Sequence, residues 1–247
     1  MKADMQEAPV KSGKTALITQ SNYIPWKGYF DLIASVDELI LLDSVQYTRR
    51  DWRNRNIIKT PSGPLWLTIP VKVKGRYQEA IDEIRIADTS WVDTHIRSIS
   101  LNYKRAAGFQ NISPWLFDSL AAAANKESLS EVNESLIRSI CSQLGIATPI
   151  RRCTDVLDRA SMQKMEPTER LLELCHSVGA KRYVSGPAAK QYLDVARFDQ
   201  LGIDVEWADY GGYPEYPQLW GSFDHYVSIV DLLLNAGHDA GKFMKYM

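Results

Sequence analysis

TALIT at residues 15–19, GYFDLIAS at residues 28–35 and ELILL at residues 38–42 make up the stretch that decides the fold. The first and third segments are short apolar runs typical of buried strands, and the second is predicted to be a helix. A helical crossover between two strands is typical of a parallel sheet and too long for a simple hairpin. The stretch therefore predicts a strand–helix–strand unit that ends at Asp43.

The rest of the chain extends this pattern on the C-terminal side. Pro61-Ser62-Gly63-Pro64 is a strong turn signal and predicts a hairpin between residues 56–60 and 65–71. Apolar residues at helical spacing predict helices near residues 92–103 and 132–144, the second ending at Gly145. The remaining predicted elements are strands at 148–153, 181–184 and 203–208 and helices at 167–178 and 227–235. Alternation at both ends predicts a doubly wound, mostly parallel, Rossmann-like α/β sheet with a helical insertion.

Bulk composition indicates the class of protein. The chain is 45% hydrophobic and 24% charged, with a net charge of -1, which is typical of a globular protein without a broad nucleic-acid surface. Residues 1–13 are predicted to be a disordered tail and residues 14–247 a single domain, because no repeat or linker divides them. The polar N-terminus and short apolar runs predict a cytoplasmic protein without membrane insertion. Three widely spaced cysteines fit reduced thiols in that compartment.

The loop between the first strand and its helix is the first candidate site. Ligands of parallel sheets lie beyond the carboxyl ends of the strands, where helix N-termini offer unpaired amides. Amide side chains there can donate and accept hydrogen bonds, and aromatic rings can enclose a planar group. The candidate binding residues are Gln20, Asn22, Tyr23, Trp26 and Tyr29. A tightly packed turn with its aromatic rings in the core is the alternative interpretation.

An arginine-rich loop follows the second predicted strand. Arginine binds phosphate through two parallel hydrogen bonds and keeps its charge in a buried site. Arg53 and Arg55 would share one face of an extended segment, an arrangement that fits a diphosphate. Asp43, at the end of the strand, is the best-placed carboxylate for a catalytic base, a metal ligand or an acceptor for a sugar hydroxyl. A solvated basic loop is the alternative interpretation of the block. The candidate binding residues in this block are Gln46, Tyr47, Arg49, Arg50, Trp52, Arg53, Arg55 and Asn56.

A third candidate site lies where the strand at 181–184 ends. Ser185 and Gly186 precede a proline at a predicted helix start, which exposes backbone amides that can bind a phosphate or carboxylate. Lys190 would add a positive charge, although the segment alone is also a generic turn. Elsewhere the histidines lack the spacing of metal ligands, so no metal site is predicted, and no P-loop, GxSxG or GxGxxG motif is present. A familiar kinase, hydrolase or dehydrogenase is therefore not expected.

Residues 18–59, together with blocks near residues 183 and 214, resemble the WbqC-like family of bacterial proteins. Tyr216, Pro217 and Gln218 match the family pattern, as does the pair Asp231 and Asn235. The resemblance implies a setting in O-antigen or capsule biosynthesis and makes Tyr216 and Gln218 candidate binding residues. It also implies that a small acyl or aminoacyl group, such as glycyl, is attached to the amine of a nucleotide-linked amino sugar.

The cofactor and the donor stay open at this stage. The first loop is placed like the nucleotide-binding loop of HIGH-type adenylylating enzymes but has no histidine, so ATP is one option for activating the donor. One alternative is a transferase that uses aminoacyl-tRNA, gripping its single-stranded end with Trp52 and Arg49 to Arg55. Another is a non-catalytic module that binds a sugar nucleotide.

Overall fold

The computed structural model describes residues 13–76 and 78–247. The strands in these ranges are β1 (Thr15–Thr19), β2 (Glu38–Leu41), β3 (Arg55–Thr60), β4 (Gly63–Thr68), β5 (Ile150–Arg152), β6 (Arg182–Ser185) and β7 (Asp204–Trp207). The α-helices there are α1 (Lys27–Ala34), α2 (Trp91–Tyr103), α3 (Phe109–Ala123), α4 (Leu129–Leu144), α5 (Arg159–Lys164), α6 (Pro167–Ser177), α7 (Val195–Gln200) and α8 (Ile229–Ala236). The predicted tail at 1–13 lies outside the described residues, apart from Gly13.

The sheet confirms the predicted Rossmann-like fold. β5, β2, β1, β6 and β7 form a parallel sheet in that order, and the strand–helix–strand unit pairs Ala16 with Glu38 and Thr19 with Leu41. Counted along the chain, this order is 3-2-1-4-5, that of the classical dinucleotide-binding sheet. The antiparallel hairpin β3–β4 and helices α2 to α4 form an insertion between β2 and β5.

The sheet is covered on both faces, which explains why its strands are apolar runs. Side chains alternate along β1, so Leu17 lies on one face while Ala16 and Ile18 lie on the other. The first face packs against α1, the insertion helices and α8, with Phe30 and Ile33 from α1. The second face packs against α6 and α7. A strand buried on both sides has no need for polar alternation.

Local signals explain where the longest described helix begins and ends. The Ser128 side chain accepts a hydrogen bond from the Glu131 amide, and the Glu131 carboxylate accepts one from the Ser128 amide. This capping box satisfies amides that the first turn leaves unpaired. Gly145 ends α4 with φ of 75°, a left-handed conformation that suits glycine. The stop at Gly145 predicted from the sequence is confirmed. Among the helices of the described residues, none is long and apolar enough to cross a membrane.

His95 lies beneath the first loop and makes stability depend on pH. Its Nδ1 lies 2.7 Å from the hydroxyl of Tyr23, and its ring contacts Trp91. Burial lowers the pKa of His95 from 6.5 to about 4. Between these values the unfolded chain binds a proton that the folded protein does not, so stability is present above pH 6.5 and is lost as the pH falls toward 4.

We expect this histidine alone to lower the free energy of unfolding by up to about 3 kcal/mol between pH 6.5 and 4. Urea unfolding of wild type and His95→Gln at several pH values in this window measures the effect. The variant should lose less stability on acidification than wild type. Parallel pH profiles for the two proteins would contradict the assignment.

Candidate functional site

The strand order places a ligand crevice between β1 and β6. Along the chain β2 and β5 are added on one side of β1, whereas β6 and β7 are added on the other. The connections after β1 and β6 therefore run to opposite sides and leave an opening beyond the carboxyl ends, where open α/β sheets bind ligands. The loops that follow the carboxyl ends of β1, β2, β6 and β7 carry Gln20, Asp43, Gly186 and Tyr210, respectively. Two cavities lie at this edge.

The first cavity, here called the aromatic cleft, has a volume of about 250 Å³. Its lining residues are Asn22, Pro25, Trp26, Trp52, Asn56, Tyr210 and Tyr226. The Trp26 ring meets Tyr210 edge-on at 5.3 Å, and Trp52 is 42% exposed. Gly28 permits this arrangement because a Cβ at that position would overlap the Trp26 ring. The cleft offers flat apolar walls to a planar or sugar ring.

Arg53 contacts Asn22, one of the residues that line the aromatic cleft. Its guanidinium donates to Asn22 Oδ1 at 2.6 Å and to Gln20 Oε1. Asp51 lies 3.7 Å away. The Arg53 side chain is only partly exposed, and its Nε is buried without a hydrogen-bond partner in the described part of the chain. Sequence analysis selected Gln20 and Asn22 in one candidate loop and Arg53 in another, and the structure brings the three side chains together.

Asp43 contacts the loop after β1 through Ser21, whereas Arg53 contacts Gln20 and Asn22. Its carboxylate accepts hydrogen bonds from the Ser21 amide at 2.8 Å and from the Ser130 hydroxyl. Burial raises the pKa of Asp43 above its usual value, although the bonds from Ser130 and Ser21 oppose the shift. A buried carboxyl group with a raised pKa is common at sites that transfer protons.

Asp43 also lines the second cavity, here called the polar pocket, of about 220 Å³. Its charged lining consists of Asp43, Asp82, Arg85, Glu131, Arg152 and Arg159. Apart from Asp43, these residues belong to the insertion, to β5 and to α5, and sequence analysis did not select them. Sequence analysis missed them because they are far along the chain from the strand-end loops and no local motif joins them to those loops.

Residues 20 to 22 connect the two cavities. Gln20 and Asn22 hold Arg53, while Ser21 between them holds Asp43. Asn133 of α4 donates to the Ser21 hydroxyl at 3.1 Å and to the Arg53 carbonyl at 2.9 Å. Sequence analysis missed Asn133, because it lies on an otherwise apolar helix face.

Tyr29 lies where these groups meet. Its hydroxyl donates to the Gln20 carbonyl at 3.2 Å. Burial raises the pKa of Tyr29, and the charge of Asp43 raises it further while that of Arg53 lowers it. Both charges therefore act on a single phenol.

The other predicted arginines face elsewhere. Residues 51–54 form turns and not an extended strand, so Arg53 and Arg55 do not share a face. Arg55 stacks on Trp66 at 4.1 Å and donates to the Arg50 carbonyl. Arg49 donates to the Val73 carbonyl at 3.3 Å. The four arginines of this block do not converge on one pocket.

Several predicted binding residues stabilise the loops from within. Tyr23 is wholly buried against His95, as the alternative interpretation of that loop expected. Asn56 donates to the carbonyls of Tyr23 and Ile24, at 3.0 and 2.9 Å. Tyr47 donates to Asn54 at 3.0 Å, and Gln46 forms a backbone bridge with Ala80.

The loop after β6 lies on the other side of the crevice. Ser185 is buried and donates to the Tyr183 hydroxyl at 3.1 Å. Gly186 lies close to the Tyr210 hydroxyl of the aromatic cleft, and Lys190 lies 5.3 Å from the centre of the Trp207 ring. Gly186 is therefore next to the cleft wall.

Tyr216 and Gln218 belong to a buried polar network around Asp231. The Asp231 carboxylate accepts hydrogen bonds from Tyr103, Tyr216 and Gln218 at 2.6 to 2.9 Å. Asn235 donates to the Asp231 carbonyl at 2.8 Å. The network joins the segment after β7 to α8 and α2. Tyr216 and Gln218 therefore stabilise this segment through buried hydrogen bonds.

Lys27, which sequence analysis missed, fastens the same segment. It is 2% exposed, donates to the Pro214 carbonyl at 2.7 Å, and lies 5.2, 5.1 and 5.8 Å from the ring centres of Tyr213, Tyr216 and Phe223. Burial lowers the pKa of Lys27 to about 8, against the opposing charges of Asp31 and Glu215. A cation enclosed by aromatic rings is a strong local anchor.

We expect Lys27→Met to loosen the segment at residues 209–226, which carries Tyr210 and Tyr226 of the aromatic cleft. Hydrogen exchange followed by mass spectrometry should show about tenfold faster exchange there, because opening needs less free energy. Lys242→Met is the matched control, since Lys242 is exposed and pairs with Asp239. Unchanged exchange in Lys27→Met would show that the segment is held by other contacts.

Fold and cavities together define an α/β protein of Rossmann topology with a ligand crevice at its switch point. The chain belongs to the WbqC-like protein family, whose model matches residues 20–243. It is 48% identical over 233 residues to the uncharacterized protein Rv1507c of Mycobacterium tuberculosis (strain ATCC 25618 / H37Rv), covering 94% of this chain and 98% of that protein. The comparison with solved structures found no match.

Proposed function

We propose that this protein is a transferase that attaches a small acyl or aminoacyl group to the amine of a nucleotide-linked amino sugar in O-antigen or capsule biosynthesis. The observation that carries the proposal is the loop at residues 20–22, which holds a guanidinium on one side and a buried carboxylate on the other. The setting is the one that the resemblance to the WbqC-like family implies.

In this proposal the aromatic cleft binds the ring of the nucleotide base. Trp26, Trp52 and Tyr210 offer faces and edges for stacking. Arg53 binds the diphosphate beside the cleft, because a guanidinium donates in parallel to phosphate oxygens. Its unpaired Nε is a donor that a ligand would satisfy.

Asp43 then acts as the general base for the sugar amine. The amine attacks the carbonyl carbon of an activated acyl group, the carbon–nitrogen bond forms, and the bond to the leaving group breaks. The proton lost by the amine passes to the Asp43 carboxylate, whose raised pKa suits it to accept that proton. ATP is the proposed activator, and the leaving group would then be AMP.

The exposed rings beside the cleft favour aminoacyl-tRNA as a second candidate donor of the aminoacyl group. Trp52 and Trp66 pack 5.4 Å apart, and Arg55 stacks on Trp66. Aromatic rings with arginine form a platform for single-stranded nucleic acid, which suits the end of an aminoacyl-tRNA. Product formation that needs ATP and survives RNase would exclude this donor, whereas loss of product after RNase would establish it.

Thermal unfolding with a panel of nucleotide sugars and ATP tests the proposed binding. A ligand at 100 times its Kd should stabilise wild type by about 2.7 kcal/mol. Arg53→Ala should lose about half of this stabilisation or more, since binding is expected to weaken at least tenfold, while Arg97→Ala on the exposed face of α2 should keep it.

No shift with any nucleotide sugar or ATP would contradict the proposal. Equal shifts in wild type and Arg53→Ala would place the ligand away from Arg53. A shift without a mass change in the sugar would identify a binding module and not a transferase.

A further inference from the structure

The polar pocket beside Asp43 carries charges of both signs. Its volume is about 220 Å³, and its lining includes three arginines and three acidic residues: Arg85, Arg152, Arg159, Asp43, Asp82 and Glu131. Each arginine already pairs with a protein carboxylate: Arg152 with Glu134 at 2.5 Å, Arg85 with Glu127 at 2.9 Å, and Arg159 with Asp82. A simple anion would have to compete with those carboxylates, so the pocket does not fit an anion alone.

One ion pair in the pocket is incomplete on both sides. Arg159 contacts Asp82 through Nη2 and Oδ2. Its Nη1 and the Asp82 Oδ1 are both buried, and neither has a hydrogen-bond partner within residues 13–76 and 78–247. Glu83 lies 3.7 Å from that Nη1, beyond hydrogen-bond distance. An unsatisfied donor and an unsatisfied acceptor at one ion pair suit a partner that supplies both complements.

Size restricts the ligand further. Pockets for drug-sized molecules hold about 300–1,000 Å³, and this pocket is smaller. Leu41 and Cys153 in its lining leave an apolar part for a short side chain.

We propose that the polar pocket binds a small α-amino acid as a zwitterion, with its carboxylate at Arg159 and its ammonium group at Asp82. This inference rests on the proposed function, because an amino acid bound beside Asp43 would be the donor of the transferred aminoacyl group. Both charges of the ligand are needed, since each satisfies one half of the incomplete pair.

Titration calorimetry on the full chain tests this with glycine, L-alanine and L-serine. At least one should bind, and its methyl ester and its N-acetyl derivative should each bind at least tenfold more weakly. Acetate and methylamine should behave like the derivatives, because each carries one charge. These comparisons use wild-type protein alone, so they hold even if a variant fails to fold.

Variants then locate the site. Arg159→Gln and Asp82→Asn should each weaken binding of the amino acid at least tenfold. The matched control is Lys242→Gln combined with Asp239→Asn, which removes an exposed ion pair and should leave binding unchanged.

Failure of all three amino acids to bind, or equal affinity for acetate, would overturn the inference. Full binding by both pocket variants would overturn it as well. The nucleotide-sugar shift is measured on the same preparation. Sugar binding without amino-acid binding would refute only this inference, and amino-acid binding without sugar binding would refute only the proposed function.

Discussion

An Asp43→Asn variant is expected to bind the nucleotide-linked sugar normally and to lose about 100- to 10,000-fold in kcat, the usual contribution of a general base. Asparagine keeps the oxygen that accepts from the Ser21 amide, so the loop at residues 20–22 should retain its shape. Its neutral amide cannot take the proton of the attacking amine. Single-turnover kinetics on the variant measures the chemical step directly.

The pH profile supplies the control for this prediction. Burial raises the pKa of Asp43, and a base must be unprotonated, so kcat/KM should rise with pH through a limb above the usual aspartate range. That limb should be absent in Asp43→Asn. A kcat within tenfold of wild type, or an unchanged acid limb, would remove Asp43 from the mechanism and leave it as a structural acceptor for Ser21 and Ser130.

The fold was largely predictable because its signals are local. β1 matched its predicted range, and α1 and β2 matched theirs to within one residue at each end, since apolar runs and their spacing depend on neighbours in sequence. The rule that ligands lie beyond strand ends also placed Gln20, Asn22 and Asp43 correctly at the carboxyl edge of the sheet.

The candidate site was less predictable because its remaining groups come from distant segments. Arg159 and Asp82 meet across 77 positions of the chain, and no spacing rule joins them. Lys27 is a lysine at the start of an apolar helix, and its aromatic enclosure comes from residues 213–223. Such contacts depend on tertiary packing alone.

Arg55 illustrates the opposite error, in which a local rule was applied beyond its range. Side chains two apart share a face only in an extended strand, but the chain turns at residues 51–54 before β3 begins at Arg55. Arg53 therefore faces the loop after β1, whereas Arg55 stacks on Trp66 of the hairpin.

Asp231→Ala is expected to lower the free energy of unfolding by about 4 kcal/mol or more. The side chain is fully buried, and its removal leaves the hydroxyls of Tyr103 and Tyr216 without their acceptor and takes one of several acceptors from the Gln218 amide. Each buried donor left unpaired costs about 1–3 kcal/mol. For a chain of this size the melting temperature should fall by about 8–16 °C.

Two further variants distinguish the effect of losing the whole network from the effect of losing one hydrogen bond or one exposed carboxylate. Tyr216→Phe removes a single donor and should cost about 1 kcal/mol, and Asp239→Ala on the exposed ion pair should change stability by less than about 0.5 kcal/mol. A loss below about 1 kcal/mol in Asp231→Ala would show that the network does not stabilise the fold. Gln218 also bonds Lys59 and Asp224. Asp231→Ala should therefore loosen residues 216–226 and weaken ligand binding in the aromatic cleft, which Tyr226 lines.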